Sequence, residues 1–514
     1  MGSGRGGSRG GSVGLRYPAV VNYLALTLRL ASSVAFSVIV ARRLPVSEYG
    51  VWGVILSVSL ALTNPVTLIS TWPPRMESWG HRGAGYTGLL VSAAYSAITA
   101  AVFVVAMRLV VGPGAPWPLA AVALPVLQVV YTYLRRLAAA ARPEAVGYSM
   151  ALYEAARLPL VYLLVARMRL GILGAVASLA AAHLAAAAYL AVEAARAGFL
   201  EPRLVPGLVS RWARLSHIPL LDSLTGLLSG FYRGFFKLVS GSLEAVARLN
   251  VGLAAETPLL QAAWVGPSLA LYARMLRRVS AGDVAESVRI YLALAGFVLA
   301  SMAALARPVV ALFNPAYLDS TLLVRLAALH ALIYGLANIY GAAVGGAERF
   351  DADPSRVPPL RVALATPMGR ASLARLGSAA AQYALLALLY QALRPAGPAG
   401  AALVAMASML ASAAGLLAYL YRLASRTVGA PVPWREAAEV SVASAASVAV
   451  YAAMGAPWVA EPRFWPALRL VASALAVGGL AYAAVLLAVS PWARGLAAAA
   501  AGRLARLRVA ARVD

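Results

Sequence analysis

Residues 29–53, RLASSVAFSVIVARRLPVSEYGVWG, contain the end of one apolar segment, a short polar connection and the start of another. The first segment begins at Tyr17 and has one arginine, Arg29, near its middle. It ends at Arg42-Arg43, and the connection that follows reads LPVSEYG. Two apolar segments of about 20 residues joined by a tight connection predict a pair of membrane-spanning helices.

The composition of the whole chain agrees with a membrane protein. Of its 514 residues, 61% are hydrophobic and 12% are charged. A soluble chain has about 25% charged residues, so this one has too little polar surface to face water. The absence of cysteine excludes disulfides, thiolate metal sites and cysteine nucleophiles. No nucleotide-binding loop, nucleophile elbow or HExxH motif occurs, so we expect neither an enzyme nor a bound metal or cofactor.

Many segments of the chain are long enough to cross about 30 Å of hydrocarbon as helices. The 14 candidates are 17–41, 50–71, 87–111, 117–137, 147–166, 171–192, 212–232, 246–266, 287–306, 321–345, 373–393, 397–421, 436–455 and 466–489. Several are alanine-rich and weakly hydrophobic, so the expected number lies between about 12 and 14. The pattern predicts an all-α integral membrane protein with about 14 transmembrane helices.

A faint internal repeat divides these segments into two halves. The sequence that follows Arg42 after the first span resembles the sequence that follows Lys237 after the seventh. Repeats of this kind are usual in secondary transporters. The predicted parts are a disordered tail (1–16), an N-terminal lobe with spans 1–6 (17–195), a C-terminal lobe with spans 7–12 (196–425), an extra helix pair (426–490) and a basic cytoplasmic tail (491–514).

The distribution of arginine predicts the orientation in the membrane. The formal net charge is +25, and most of the basic residues outside the spans fall in alternate connections. Cytoplasmic loops are enriched in Lys and Arg, so we predict a multi-pass protein of the cell membrane with both termini cytoplasmic. The C-terminal tail, GRLARLRVAARVD, is expected to lie on anionic lipid headgroups.

Arg29 is the charge that most needs an explanation. A charge at mid-bilayer costs at least about 2.5 kcal/mol, so it is expected to face the bundle interior or a wet cavity. Asn22, Ser33 and Ser37 lie on the same side of the predicted helix, which favours a cavity wall. Alternatives are a structural pair with a carboxylate of another helix, or extension to the membrane surface, although Arg29 lies about two turns from either end.

Acidic residues occur in other predicted spans. Asp222 follows His217 in the seventh span, and Glu256 lies near the centre of the eighth. These side chains can bind a coupling proton or sodium ion, pair with Arg29, or form a purely structural ion pair. In the fifth span, Glu154 and Arg157 are three residues apart and are predicted to pair with each other.

Three motifs resemble the polysaccharide and lipid-linked oligosaccharide flippases of the MOP exporter superfamily, which also contains the MATE antiporters. Ile39-Val-Ala-Arg-Arg-Leu-Pro-Val-Ser-Glu-Tyr-Gly-Val-Trp resembles the first hairpin of the family. Ala306-Arg-Pro-Val-Val-Ala-Leu-Phe-Asn-Pro-Ala-Tyr-Leu and Gly397-Pro-Ala-Gly-Ala-Ala-Leu resemble segments near the ninth and twelfth helices. The family often has Asp-Arg near the end of the seventh helix. Here Tyr232-Arg233 stands in its place, so only the basic residue carries over.

The resemblance implies two six-helix lobes around a central cavity, followed by two C-terminal helices. It also implies translocation of a polyprenyl-pyrophosphate-linked oligosaccharide by alternating access, for cell-surface glycan assembly. Arg29 is the first candidate for contact with the pyrophosphate, and Arg233 and Arg325 are weaker ones. The alternative is a MATE-like cation-coupled exporter of small molecules. Short outer loops argue against a glycosyltransferase, and nothing suggests a nucleic acid partner.

Overall fold

The computed structural model describes residues 16–114, 117–348 and 360–498. All regular structure in these ranges is helical, and 14 helices have 18 or more residues. They are α1 (Arg16–Arg43), α2 (Val46–Thr63), α3 (Ala84–Val111), α4 (Ala123–Ala141), α5 (Pro143–Val161), α6 (Gly171–Arg196), α7 (His217–Ser240), α8 (Leu243–Arg277), α9 (Ala281–Phe313), α10 (Thr321–Ala347), α11 (Pro367–Leu393), α12 (Gly397–Val428), α13 (Trp434–Ala453) and α14 (Phe464–Val489).

The predicted all-α membrane fold is confirmed. Within the described ranges, 11 helical segments are long and apolar enough to cross a membrane. The long helices α7, α8 and α13 are not among them. The predicted number of 14 membrane spans is therefore not confirmed, although 14 long helices are present.

The predicted span 50–71 lies within one candidate membrane span, Val46–Ser78, but the helix in this span is interrupted. The helix α2 ends at Thr63, and two short helices follow, Val66–Ser70 and Trp72–Ser78. Pro65 lies at the break, where its ring removes a backbone N–H and prevents a straight continuation of α2. Hydropathy alone does not detect such a break because the residues on both sides are apolar.

The packing of α1–α6 recurs six helices later in the chain. In the first group, α1 packs on α5, α5 on α6, α6 on α4, and α4 on α3. In the second group, α7 packs on α11, α11 on α12, α12 on α10, and α10 on α9. Arg142 lies in the connection between α4 and α5 and binds α6. Its Nη1 atom is 2.5 Å from Glu193 Oε2, and this hydrogen bond raises the pKa of the Arg142 guanidinium.

The two groups meet mainly along α2, which packs against both α7 and α8. Ser57 Oγ donates to the carbonyl of Gly230 at 2.5 Å, and Asn64 Nδ2 donates to the carbonyl of Gly226 at 2.6 Å. The two hydrogen-bonded pairs run in opposite order along the two helices, so α2 and α7 are antiparallel. Asn250 Nδ2 of α8 donates to the carbonyl of Tyr49 at 3.4 Å.

Arg42 forms a second junction between the groups. Its Nε donates to the carbonyl of Leu312 at 2.8 Å, and its Nη2 donates to the carbonyl of Ala311 at 2.9 Å. Nη1 donates to the carbonyl of Pro462 at 3.2 Å, and the guanidinium carbon lies 5.4 Å from the centre of the Phe464 ring. Arg42 therefore binds the C-terminal end of α9 and the segment before α14, and we name this set of contacts the Arg42 junction.

The last two long helices pack on α9 and on each other. Ser301 Oγ and Tyr451 Oη are 2.8 Å apart, and Tyr482 Oη donates to the carbonyl of Ala293 at 2.6 Å. Arg289 Nε of α9 lies 2.7 Å from a carboxylate oxygen of Glu436 of α13. Polar contacts thus fix α13 and α14 to the second group.

Candidate functional site

A buried ion pair lies where α1 packs against α5. Arg157 Nη2 is 2.5 Å from Glu154 Oε2, and the two residues are only 7% and 1% exposed. The prediction that these residues pair on one helical face is confirmed. Burying two charges is costly, so the pair requires further polar contacts to be stable.

Two serines of α1 provide those contacts. Ser32 Oγ donates to Glu154 Oε2. Arg157 Nη2 donates to Ser32 Oγ at 2.8 Å and to Ser33 Oγ at 3.1 Å. The ion pair is therefore a link between α1 and α5, and the sequence separation of the partners is more than 120 residues.

Aromatic rings surround the guanidinium of Arg157. Its central carbon lies 4.9 Å from the centre of the Phe36 ring and 5.2 Å from that of Tyr153, distances typical of cation–π contacts. His183 of α6 meets the Tyr153 ring edge-on at 4.9 Å. His183 Nδ1 is 2.8 Å from the carbonyl of Leu179, which only accepts, so Nδ1 donates there.

Arg29 lies beside this pair with its side chain exposed. Ala25, Ser32 and Phe36 share its side of α1 and are 5%, 2% and 5% exposed. The exposed leucine Leu24 lies on a different side of the helix. Arg29 is therefore an exposed residue on the side of α1 that packs against α5.

The charged residues Arg29, Glu154 and Arg157 give this site a net positive charge. Arg29 is close enough to Glu154 for electrostatic attraction, yet it forms no hydrogen bond or ion pair within the described part of the chain. Arg157 and Glu154 neutralise each other, which leaves the cation of Arg29. We name Arg29, Ser32, Ser33, Glu154 and Arg157 the cation cluster.

Ser33 and Asn22 were predicted to lie on the same side of α1 as Arg29. Ser33 belongs to the cation cluster, as described. Asn22 Nδ2 donates to the carbonyl of Pro143 at 3.2 Å, at the start of α5, and its Oδ1 is buried without a partner in the described residues. Asn22 therefore lies on the same α1–α5 contact as Arg29, two turns toward the N-terminus.

Arg233 and Arg325 lie away from Arg29. Arg233 interacts electrostatically with Tyr49, which follows the end of α1. Arg43, the last residue of α1, lies 14 residues after Arg29. This corresponds to a rise of about 20 Å along the helix. Arg325 is exposed near the start of α10, after the short helix whose Tyr317 ring lies 5.9 Å from that of Tyr49. The three predicted arginines therefore do not form one site.

Asp222 has a partner other than Arg29. Ser372 Oγ of α11 donates to Asp222 Oδ1 at 3.0 Å. The acidic neighbour of Arg29 is Glu154, a residue of α5 in the same group of helices. Glu256 and His217 lie on α8 and α7, but their side chains are outside the described part of the structure, so these two predictions stay predictions.

The fold is similar to that of several solved transporter structures. A multidrug resistance MATE family transporter of the MOP superfamily, in an inward-facing conformation, matches with a TM-score of 0.58 and 12% identity over 80% of this chain and 100% of its own. The lipid II flippase MurJ, in an inward closed conformation, matches with a TM-score of 0.57 and 10% identity over 93% of this chain and 99% of its own. A Vibrio cholerae MATE transporter, VcmN, matches with a TM-score of 0.54 and 16% identity over 80% of this chain and 97% of its own.

At the sequence level, no family model and no curated protein matches the chain. The structural matches, all at low identity, establish the architecture. The chain is thus a multi-pass membrane protein with a fold similar to those of the MATE transporters and MurJ.

Proposed function

We propose that the chain is a flippase that moves a polyprenyl-pyrophosphate-linked oligosaccharide across the cell membrane by alternating access, for cell-surface glycan assembly. The observation that carries the proposal is Arg29, an exposed cation without a bonded partner in the described structure, on the packed side of a membrane helix. A pyrophosphate headgroup is the matching ligand because guanidinium binds phosphate oxygens bidentately. Binding such an anion also compensates the cost of a charge at this depth.

The number of long helices gives the proposal further support. The MATE comparisons span 80% of this chain, and the comparison with MurJ spans 93%. The match to the protein described as a lipid II flippase therefore extends over more of this chain than the MATE matches do. Low identity limits this likeness to the fold, so the cargo is inferred from the cation cluster.

The proposed movement is a rocking of the lobe 17–195 against the lobe 196–425, around a central cavity that Arg29 lines. The recurrence of packing six helices apart supports such a division. In the proposed orientation both termini are cytoplasmic. The tail after residue 498 lies outside the described residues, and its proposed partners are anionic lipid headgroups.

A MATE-like exporter coupled to a proton or sodium ion is the second candidate. The observation in its favour is the number of MATE structures with this fold. Asp222, half-buried and bonded to Ser372, is the described carboxylate that would serve as a coupling group. An exported organic cation requires an acidic binding site, whereas the cation cluster has a net positive charge.

The test is translocation of a fluorescent polyprenyl-pyrophosphate sugar in proteoliposomes. We expect the Arg29→Ala variant to lose about ten- to a hundredfold of the rate, because one charge-assisted contact is worth about 1.5–3 kcal/mol. Arg108→Ala removes an exposed arginine at the end of α3 and serves as the control. Full activity of Arg29→Ala would refute the role of Arg29, and no translocation by the native chain would refute the proposed flippase.

A further inference from the structure

Glu154 presents a difficulty for an anion site next to it. Its carboxylate attracts Arg29, and its Oε1 atom is buried without a hydrogen-bond partner among the described residues. A carboxylate without another cationic partner would attract the Arg29 guanidinium and compete with any phosphate. The structure nevertheless shows Arg29 without an ion pair in the described part of the chain.

The contacts of Glu154 explain why Arg29 is not captured. Its Oε2 atom forms an ion pair with Arg157 Nη2, at 2.5 Å, and accepts a hydrogen bond from the hydroxyl of Ser32. The Arg157 guanidinium is in turn fixed between the Phe36 and Tyr153 rings and by Ser33. Arg157 is thus held in the position where it neutralises Glu154, and it is too buried to be a ligand of a large substrate itself.

We propose that Arg157 determines the specificity of the site for anions, because it neutralises Glu154 and so keeps the Arg29 cation available to a phosphate or pyrophosphate headgroup. This inference rests on the proposed function. It makes headgroup binding depend on the net charge of the cation cluster, which is +1 when Arg29, Arg157 and Glu154 are ionised. Loss of Arg157 alone gives a net charge of 0 and frees Glu154 to bind Arg29.

The consequence is a characteristic order of affinities in three variants. Arg157→Met is expected to weaken binding of farnesyl pyrophosphate at least about tenfold, the equivalent of one lost charge-assisted bond. Glu154→Gln with Arg157→Met restores the net charge of +1 and is expected to bind within about threefold of the native protein, since neither residue contacts the ligand. Arg157→Lys keeps the charge and is expected to bind similarly.

The experiment measures binding of farnesyl pyrophosphate to the full chain in lipid nanodiscs, with inorganic pyrophosphate and farnesol as companion probes. Farnesol lacks the anion, so the substitutions should leave its binding unchanged. Inorganic pyrophosphate distinguishes recognition of the headgroup alone from recognition of a lipid-linked headgroup. Arg289→Met breaks the Arg289–Glu436 pair on α9 and α13 and is the matched control, with native binding expected.

The outcomes separate this inference from the proposed function. If the native chain binds neither pyrophosphate probe, the anion site itself is refuted. If it binds and Arg157→Met binds equally well, the role of Arg157 is refuted while the flippase proposal stands. If Arg157→Met does not fold, as shown by thermal unfolding, the double variant decides the question, because it leaves no unpaired charge. Failure of the folded double variant to bind also refutes the charge rule.

Discussion

A single buried guanidinium, that of Arg157, organises the contact between α1 and α5. It meets one carboxylate, two serine hydroxyls and two aromatic rings. Each of these contacts offsets part of the cost of removing a cation from water. The aromatic rings and the serine hydroxyls add attraction without changing the charge of the cluster, whereas Glu154 neutralises it.

The Phe36 ring provides a test of this arrangement at the level of one side chain. We expect Phe36→Leu to lower the free energy of unfolding by about 1–2 kcal/mol, since the cation–π contact is desolvated and Phe36 is buried. Tyr153→Phe keeps the ring over Arg157 and should have a smaller effect. Thermal unfolding in detergent measures both, and an equal loss in the two variants would contradict the cation–π explanation.

At the level of helices, close backbone approach determines how α2 packs on α8. A Cβ atom added to Gly53 would lie 1.6 Å from Asn250 Nδ2, and one added to Gly50 would lie 2.0 Å from the carbonyl oxygen of Leu243. The absence of side chains at these two positions therefore lets α2 and α8 touch. A side chain can move away from a new methyl group, whereas a backbone carbonyl cannot.

This difference predicts that one of the two packing defects can be repaired. Gly53→Ala should destabilise the protein, and the second change Asn250→Ala should restore most of the loss by making room for the methyl group. For Gly50→Ala no side-chain change offers the same repair. Gly377→Ala on α11 meets no atom within 4 Å and should be neutral or stabilising. The measurement is thermal unfolding, and failure of Asn250→Ala to rescue Gly53→Ala would contradict the clash.

Hydropathy predicts the helices of this chain well because lipid imposes one length and one polarity on every span. The predicted spans 171–192 and 321–345 correspond closely to α6 (Gly171–Arg196) and α10 (Thr321–Ala347). The predicted span 212–232 begins and ends too early, since α7 runs from His217 to Ser240 and includes Arg233 and Lys237 near its end.

The candidate site could be predicted only in part. The Glu154–Arg157 pair follows from spacing within one helix, so a single sequence suffices to find it. The contacts of Ser32 and Ser33 with that pair depend on which helices are neighbours, and no local pattern encodes this. Arg29 was found as a charge in an apolar segment, but its separation from Arg233 and Arg325 required the packing of all the helices.

For the whole molecule, a second set of contacts between the two groups, besides those along α2, lies at the end where α1 stops and α2 begins. The Arg42 junction lies there, together with a hydrogen bond of 3.1 Å from Asn314 Nδ2 to the carbonyl of Ala41. The Tyr49 and Tyr317 rings pack against each other at the same end. The proposed alternating access would require this end to open, and these contacts would then break in each cycle.

Loss of the Arg42 junction should therefore favour separation of the two groups at this end. The chain has no cysteine, so spin labels at Ser47→Cys and Ala316→Cys report the distance between the exposed starts of α2 and the helix before α10. We expect Arg42→Ala to increase the population with a longer distance in an electron resonance measurement. Arg43→Ala, an exposed neighbour, should leave the distribution unchanged. An unaltered distribution in Arg42→Ala would show that the junction does not restrain opening.

The Arg42 junction also constrains how the sequence of this protein can drift. Arg42 recognises Leu312, Ala311 and Pro462 solely through their main-chain oxygens, which every amino acid possesses. A change of side chain at those three positions does not by itself remove the bonds, while position 42 must supply several donors in one plane. Among descendants of this chain, arginine should persist at position 42 opposite variable neighbours. Correlated substitution between position 42 and positions 311, 312 and 462 would be absent, and covariation methods would not detect these three bonds.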